Sequence, residues 1–156
     1  MARAMDETVL RSMAKWPDVP DVYGWLSLDR RGNWLIKGER IGNQALRDFI
    51  SRNYNADSRG RWYFQNGPQR VFVVLAYTPL VLRLEAEALF DHCGRPFELE
   101  QAFVDEEGSV LMLGKAGIGL LDDRDLAEYA DRAPGLPTIA CAAVPGRFGF
   151  TPNPAA

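Results

Sequence analysis

Residues 28–38 read L-D-R-R-G-N-W-L-I-K-G, and residues 104–114 read V-D-E-E-G-S-V-L-M-L-G. Asp, Gly, Leu and Gly recur at the same offsets. A glycine-rich stretch and a helix-like segment follow each copy. A unit said twice constrains architecture, because two copies can pack as related halves of one body. It carries no chemistry. D-x-x-G between apolar runs is also a hairpin signature in its own right, so the matching order of strand, turn, strand, Gly and helix is what argues for duplication.

The periodicity predicts an amphipathic helix over 2–16, with Met5, Val9, Met13 and Trp16 on one face, ended by Pro17 and Pro20. Such a stripe docks on its own domain or serves a partner. Residues 22–29 and 33–37 read as strands around the turn Arg30-Arg31-Gly32. Ile41, Ala45, Leu46, Phe49 and Ile50 then form one face of a helix. Residues 53–60 read as a loop, 61–65 and 69–77 as strands, and 80–87 as a strand with Arg83 and Glu85 on its wet side. The junction is placed at 92–96. Beyond it come strands at 97–104 and 109–113, a G-K-A-G-I-G loop, a helix from about 122 to 132, a buried strand at 138–144 and a loose tail.

The formal net charge is -3, but it is unevenly distributed. Residues 1–78 hold 12 Lys+Arg and 8 Asp+Glu, whereas residues 79–156 hold 6 and 13. The net charge gives no reason to expect nucleic acid as a partner. Two cysteines fit a reducing compartment, and the first residues lack an apolar stretch of leader type. The run 71–82 is broken by Thr78-Pro79 and is too short to span a bilayer. Together with the excess of Arg over Lys, these features point to a bacterial cytoplasmic protein with no membrane partner.

Catalytic and metal chemistry find little support. His92 is the only histidine, and its neighbour Cys93 points to the opposite face in any strand. His92, Cys93 and Cys141 would exhaust the supply of zinc ligands, so no metal or cofactor is expected. Asp122, Asp123 and Asp125 suit a helix N-terminus and would repel a phosphate from the G-K-A-G-I-G loop. Trp62 and Phe64 share one strand face and Tyr63 the other. Core packing, rather than base stacking, is the expected use. The loop 37–43 differs, because no acid occupies the first turn of the helix that follows it until Asp48. Lys37, Arg40 and Asn43, at the start of a helix, could hold an anion together with Arg70 from a nearby strand.

The motifs Gly32-Asn33-Trp34, Gly38, Ile41-Gly42 and Ala45-Leu46, followed by an aromatic strand and Thr78-Pro79-Leu80-Val81, resemble an uncharacterised proteobacterial β-roll family, a domain of unknown function, or a sister family of it. The resemblance covers about residues 21–87. It implies a duplicated α+β core of β-roll type and a C-terminal half like pleckstrin-homology folds. It also implies a small-ligand site, for a nucleotide-like molecule, between the halves and a role in signalling. It brings no catalytic residues.

The expected fold is α+β, built from duplicated β-rich units that are each an antiparallel meander with one helix. The expected organisation is an N-terminal helix and linker (1–20), a first unit (21–90), a divergent second unit (91–145) and a tail (146–156). The expected function is a non-enzymatic module that binds a phosphate-bearing small molecule at Lys37, Arg40, Asn43 and Arg70. The alternative is a protein–protein interaction module using the N-terminal helix or a sheet edge. A hydrolase built on Asp29 and Asp105 is a third reading, although hairpin roles explain both residues.

Overall fold

The computed structural model describes residues 5–15, 19–131 and 135–156. Helix α1 (Glu7–Lys15) comes first. Strands β1 (Val22–Leu28), β2 (Trp34–Ile36) and β3 (Glu39–Arg40), helix α2 (Gln44–Arg52), and strands β4 (Tyr54–Ala56), β5 (Trp62–Asn66) and β6 (Gln69–Leu75) follow. A second series contains β7 (Leu80–Glu85), β8 (Ala88–Asp91), β9 (Pro96–Phe97), β10 (Gln101–Val104), β11 (Val110–Gly114) and β12 (Gly117–Leu121). It ends with α3 (Leu126–Ala130) and α4 (Val144–Phe148), each entered through a 3-10 turn. No helix among the described residues is long and apolar enough to cross a membrane.

The chain divides into two compact units. One comprises 1–29, 33–76 and 150–156; the other comprises 30–32 and 77–149. Each contains a six-stranded sheet, ordered β3-β2-β1-β6-β5-β4 in the first and β10-β11-β12-β7-β8-β9 in the second. Renumbered within its unit, each sheet has the same order, 3-2-1-6-5-4. Two three-stranded meanders are joined through one parallel pair, β1 with β6 and β7 with β12. The duplication of β-rich units in an α+β fold is thus present in the topology.

The D-x-x-G signal has a different meaning from the one the sequence suggests. Of its five occurrences, four, at Asp29, Asp57, Asp91 and Asp105, close a hairpin, and the fifth, Asp21–Gly24, runs into β1. The backbone N–H of each hairpin Asp donates to the carbonyl four residues on, and the carboxylate Oδ1 accepts the N–H of that same residue. The glycine three residues on has a φ between 75° and 83° at all four sites, where a side chain would be strained. In strand order, residues 104–114 therefore correspond to 56–66 rather than to 28–38. The helices are not equivalent either, since α2 lies between the third and fourth strands of its sheet and α3 follows the last strand of the other.

Both sheets curl. Trp34 and Tyr54 lie on strands separated by three others, roughly 19 Å apart in a flat sheet. Their ring centroids are nevertheless 4.9 Å apart, edge to face. Helix α2 closes this concavity through Phe49 on Phe64 and a hydrogen bond from Trp34 Nε1 to Ser51 Oγ. In the second unit only residues 98–100 join the edge strands β9 and β10. That stretch reaches at most about 14 Å, against about 24 Å across six flat strands. The linker therefore passes close over β11, where a Cβ on Gly114 would lie 2.5 Å from the Glu98 carbonyl oxygen. No other residue fits there without moving the strap.

Several boundaries differ from the sequence reading. Residues 80–85 open the second sheet, so the unit boundary falls at Tyr77 and not near His92. The 53–60 loop contains β4, and the G-K-A-G-I-G segment is mostly strand β12 behind a two-residue turn. The apolar run 138–144 is not a sheet strand. Beyond one bridge from Thr138 to Val104 it turns into α4, with a Pro near the helix start and Gly149 left-handed at its end. The expected loose tail belongs to the first unit, where Pro152 accepts from the Leu75 N–H at 2.7 Å and the Thr151 N–H donates to Gly60. The expected helix stops at Pro17 and Pro134, and the ends at Trp16 and Arg132, lie outside the described residues.

Helix α1 docks on its own unit through buried Val9 and through Asn53, which is fully buried. The Asp6 N–H donates to Asn53 Oδ1 at 2.8 Å, and Asn53 Nδ2 donates to Phe49 O at 2.9 Å and to Asp6 Oδ2. Arg52 pairs with the Asp6 carboxylate. Asn53→Ala leaves the Asp6 N–H and the Phe49 carbonyl without that partner, and should cost about 2–3 kcal/mol. Urea denaturation checks this; a loss below about 0.5 kcal/mol would show that Asn53 does not hold the helix. Removing 150–156 should likewise lower the unfolding midpoint, whereas a truly loose tail would leave it unchanged.

Candidate functional site

The four residues proposed from sequence do not form one cradle. Lys37 (φ 49°) and Gly38 (φ 84°) are the two central residues of the β2–β3 hairpin turn. Arg40 donates from Nη2 to Asn33 Oδ1 at 3.1 Å. Asn43 caps α2, its Oδ1 accepting the Leu46 N–H at 2.9 Å. Lys37, Arg40 and Asn43 are thus neighbours on one edge of the first sheet. Arg70 is elsewhere. The ladder runs Arg40–Leu35–Ser27–Val74, so Arg70 is three strands and four residues away, about 14 Å across and about 13 Å along the sheet. Both arginines lie on the convex face, opposite Trp34, where side chains diverge. Arg70 stacks on Tyr63, its guanidinium 3.9 Å from the ring centroid.

A more convergent arrangement lies within the second unit. The outward face of the β7–β8 ladder presents Val81, Arg83 and Glu85 from one strand and Phe90 and His92 from the other, with Arg83 directly opposite Phe90. The tip Arg31-Gly32 and Gly94 complete a cavity of about 470 Å³. This volume lies within the range of roughly 300–1,000 Å³ common for small-molecule sites. His92 Nδ1 accepts the Val81 N–H at 3.2 Å, so the ring proton resides on Nε2. A Cβ on Gly32 would come 2.7 Å from His92 Cβ, so the cavity wall tolerates only glycine there.

The electrostatics are built from arginine–aspartate pairs. Arg83 Nε donates to Asp125 Oδ2 at 2.8 Å, and the same oxygen accepts the Leu84 N–H at 3.0 Å. Arg31 Nη2 donates to Asp123 Oδ2 at 3.1 Å, in an exposed pair. Arg124 grips the fully buried Asp122 through Nε and Nη2, at 2.9 and 2.7 Å. Burial pushes the Asp122 carboxyl up, but its bonds to Arg124 and the Arg124 charge outweigh this and bring it from 3.8 down to about 2. Burial also opposes ionisation of Asp125, and again the pair with Arg83 holds the carboxyl below its ordinary value. The acidic run at 122–125, read from sequence as a helix cap, does cap: Asp122 Oδ1 accepts the Arg124 N–H.

The remaining candidates have structural roles. Asp105 accepts the Tyr77 hydroxyl at 2.8 Å while closing its hairpin, and Asp29 closes its own. Burial, followed by Asp105, pushes the Tyr77 hydroxyl above its ordinary value. Arg30 lies 4.8 Å from the Tyr77 ring centroid and donates to Ser109 Oγ. Trp62, Tyr63 and Phe64 are all buried. No cluster of three or more potential metal ligands occurs among the described residues. Sequence reasoning missed Arg31 and Arg83 as site residues. The available signal was Arg83 standing on the wet face of an otherwise apolar strand.

A family profile described as "Protein of unknown function (DUF2946)" matches residues 5–155, and the chain belongs to that family. No curated protein matches the sequence. Among solved structures, the chain is similar to a DUF1285 family protein from Silicibacter pomeroyi DSS-3, with 16% identity, a TM-score of 0.56 and coverage of 76% of this chain and 74% of that one. A DUF1285 family protein from Shewanella baltica OS155 shows 13% identity, a TM-score of 0.53 and coverage of 69% and 91%. At these identities the likeness establishes a shared fold. The expectation of an uncharacterised domain family holds, while its β-roll designation finds no separate support.

The depressed carboxyls make the second unit acid-sensitive. Asp122 contributes stability in full above about pH 4, and that contribution is lost as the pH falls toward 2. The loss should be on the order of 2 kcal/mol. Asp122→Asn should flatten the decline in unfolding free energy between pH 4 and pH 2. An unchanged slope in the variant would assign the acid sensitivity to other groups.

Proposed function

We propose that the protein is a non-enzymatic module that binds a small organic molecule in the cavity of the second unit, with the ligand's acidic group, phosphate or carboxylate, held by Arg31 and Arg83. One observation carries the reading: two guanidinium groups, His92 and an apolar floor converge on about 470 Å³ of accessible space. The single hydrogen bond from Arg83 to Asp125 occupies Nε and leaves the terminal nitrogens for a ligand. Binding there would favour whichever conformation keeps the Arg30–Gly32 tip against His92, which is how a ligand biases a regulatory module. The hairpin cations Lys37 and Arg40 are the second place for an anion, supported by their adjacency to an α2 start free of acidic residues.

The interaction-module alternative has less support. The N-terminal helix spends Val9 on its own unit, and the outer edge of β10 is bridged by Thr138.

A thermal-shift screen of nucleotides, sugar phosphates, amino acids and organic acids tests the proposal. A ligand at a hundred times its Kd adds about 2.7 kcal/mol, which raises Tm by several degrees. The shift should vanish in Arg31→Ala, a substitution in an exposed pair of little structural worth. It should persist in a Lys37→Ala/Arg40→Ala double variant. The opposite pattern would move the site to the hairpin, and no shift with any compound would remove the ligand-binding reading.

A further inference from the structure

Charge complementarity narrows the ligand class for the cavity of the second unit, resting on the reading above that this cavity is the binding site. Glu85 lines the same cavity as Arg83, two residues along the same strand face, so their Cα atoms are about 6.6–6.8 Å apart. Among the described residues, Arg83 makes one side-chain hydrogen bond, and the Glu85 carboxylate meets no cation and no donor. Arg31 and Arg83 are each already faced by a carboxylate, Asp123 and Asp125. With Asp91 also in the lining, its carboxylate accepting backbone N–H groups of its own hairpin, the two guanidiniums stand against four carboxylates, and the cavity carries no excess of positive charge. A phosphate dianion entering it would gain the open side of Arg83 but would meet Glu85 unopposed.

We propose that the ligand is a small zwitterion, an α-amino acid with an apolar or aromatic side chain. Its carboxylate is held by the terminal nitrogens of Arg83, its ammonium by Glu85, and its side chain lies on Phe90 and Val81. A dipolar head group satisfies the free carboxylate and the open guanidinium edge together, which neither a simple anion nor a simple amine does. The position of Phe90 directly across the ladder from Arg83 puts an aromatic surface beside the carboxylate site. The cavity volume leaves room for such a side chain.

The test is a titration of isotope-labelled protein followed by amide resonances, using L-phenylalanine, 3-phenylpropionate (no ammonium), 2-phenylethylamine (no carboxylate) and inorganic phosphate as probes. L-Phenylalanine should shift amides of 81–85 and 90–94, and both truncated analogues should bind at least tenfold more weakly. Glu85→Gln, an exposed substitution that should leave the fold intact, should weaken phenylalanine by the same factor and leave phenylpropionate unchanged. Matching melting temperatures confirm that the variant is folded. If phenylpropionate, phenylethylamine or phosphate binds as tightly as phenylalanine and Glu85→Gln changes nothing, the zwitterion assignment is overturned while the cavity stands. If none of the probes and no compound of the wider screen perturbs these amides, both readings fall.

Discussion

A carboxylate folded back on its own hairpin is the interaction on which the strand pairing depends. At Asp29, Asp57, Asp91 and Asp105 the side chain supplies an acceptor for a backbone N–H that would otherwise face an empty turn. A strand slipped by one residue would expose its buried side chains and lose that acceptor together. The hairpin lock and the hydrophobic pattern therefore choose the same register. The lock is local and needs no partner from elsewhere, so it can form before either sheet is complete. Two of these carboxylates, Asp91 and Asp105, are buried, and their backbone bonds are what make burial tolerable.

Given those hairpins, the two units differ mainly in how the third strand connects to the fourth. Thirteen residues carrying α2 separate β3 from β4, whereas three residues separate β9 from β10. The long connection lets a helix cover the concave core of the first sheet. The short one forces the second sheet to curl over itself and demands Gly114 beneath the linker. With its concave side closed by the strap and by α3, the second unit presents the outward face of β7–β8 instead. The charged cavity is located there. The same strand order thus produces a covered core in one half and an accessible polar face in the other.

What was legible in the sequence follows from how local each signal is. Helix α2, β1, β2 and β6 were readable because their apolar periods and Gly32 lie within a few residues, whereas Asn43, the cap of α2, was read as an anion ligand. The duplication was readable, but its register was not. The motif that suggested it is a hairpin device used twice per unit, and only the strand order distinguishes 56–66 from 28–38 as the counterpart of 104–114. The parallel pairs β1–β6 and β7–β12 join residues far apart in the chain, so no local pattern announces them. Placing 80–85 in the first unit followed from treating the meander as continuous, whereas Tyr77 to Pro79 is where the chain leaves one sheet for the other. Residues 138–144 were ambiguous for a different reason: a short apolar run fits strand or helix equally, and Pro145 with Gly149 was the overlooked arbiter.

The site shows the same division between local and non-local information. A basic cluster at 37–43 is visible in one dimension, and the sequence reading selected it for that reason. The structure uses Asn43 as a cap and Arg40 as a bond to Asn33, which are the ordinary uses of such residues at a hairpin and a helix start. The cavity instead brings Arg31 to Arg83 and His92, which lie on one hairpin more than fifty residues further along the chain. None of the three is unusual alone. What sets them apart is incomplete pairing in a concave place: among the described residues, Arg83 is held at one nitrogen and Glu85 meets no partner. The Arg83 guanidinium is anchored at Nε to a buried Asp125 and stands opposite Phe90 on the ladder. Holding Arg83 in that orientation takes the Asp125 bond and the Leu84 N–H that fixes Asp125 in turn. That two-step positioning is what the proposed binding site would require of Arg83.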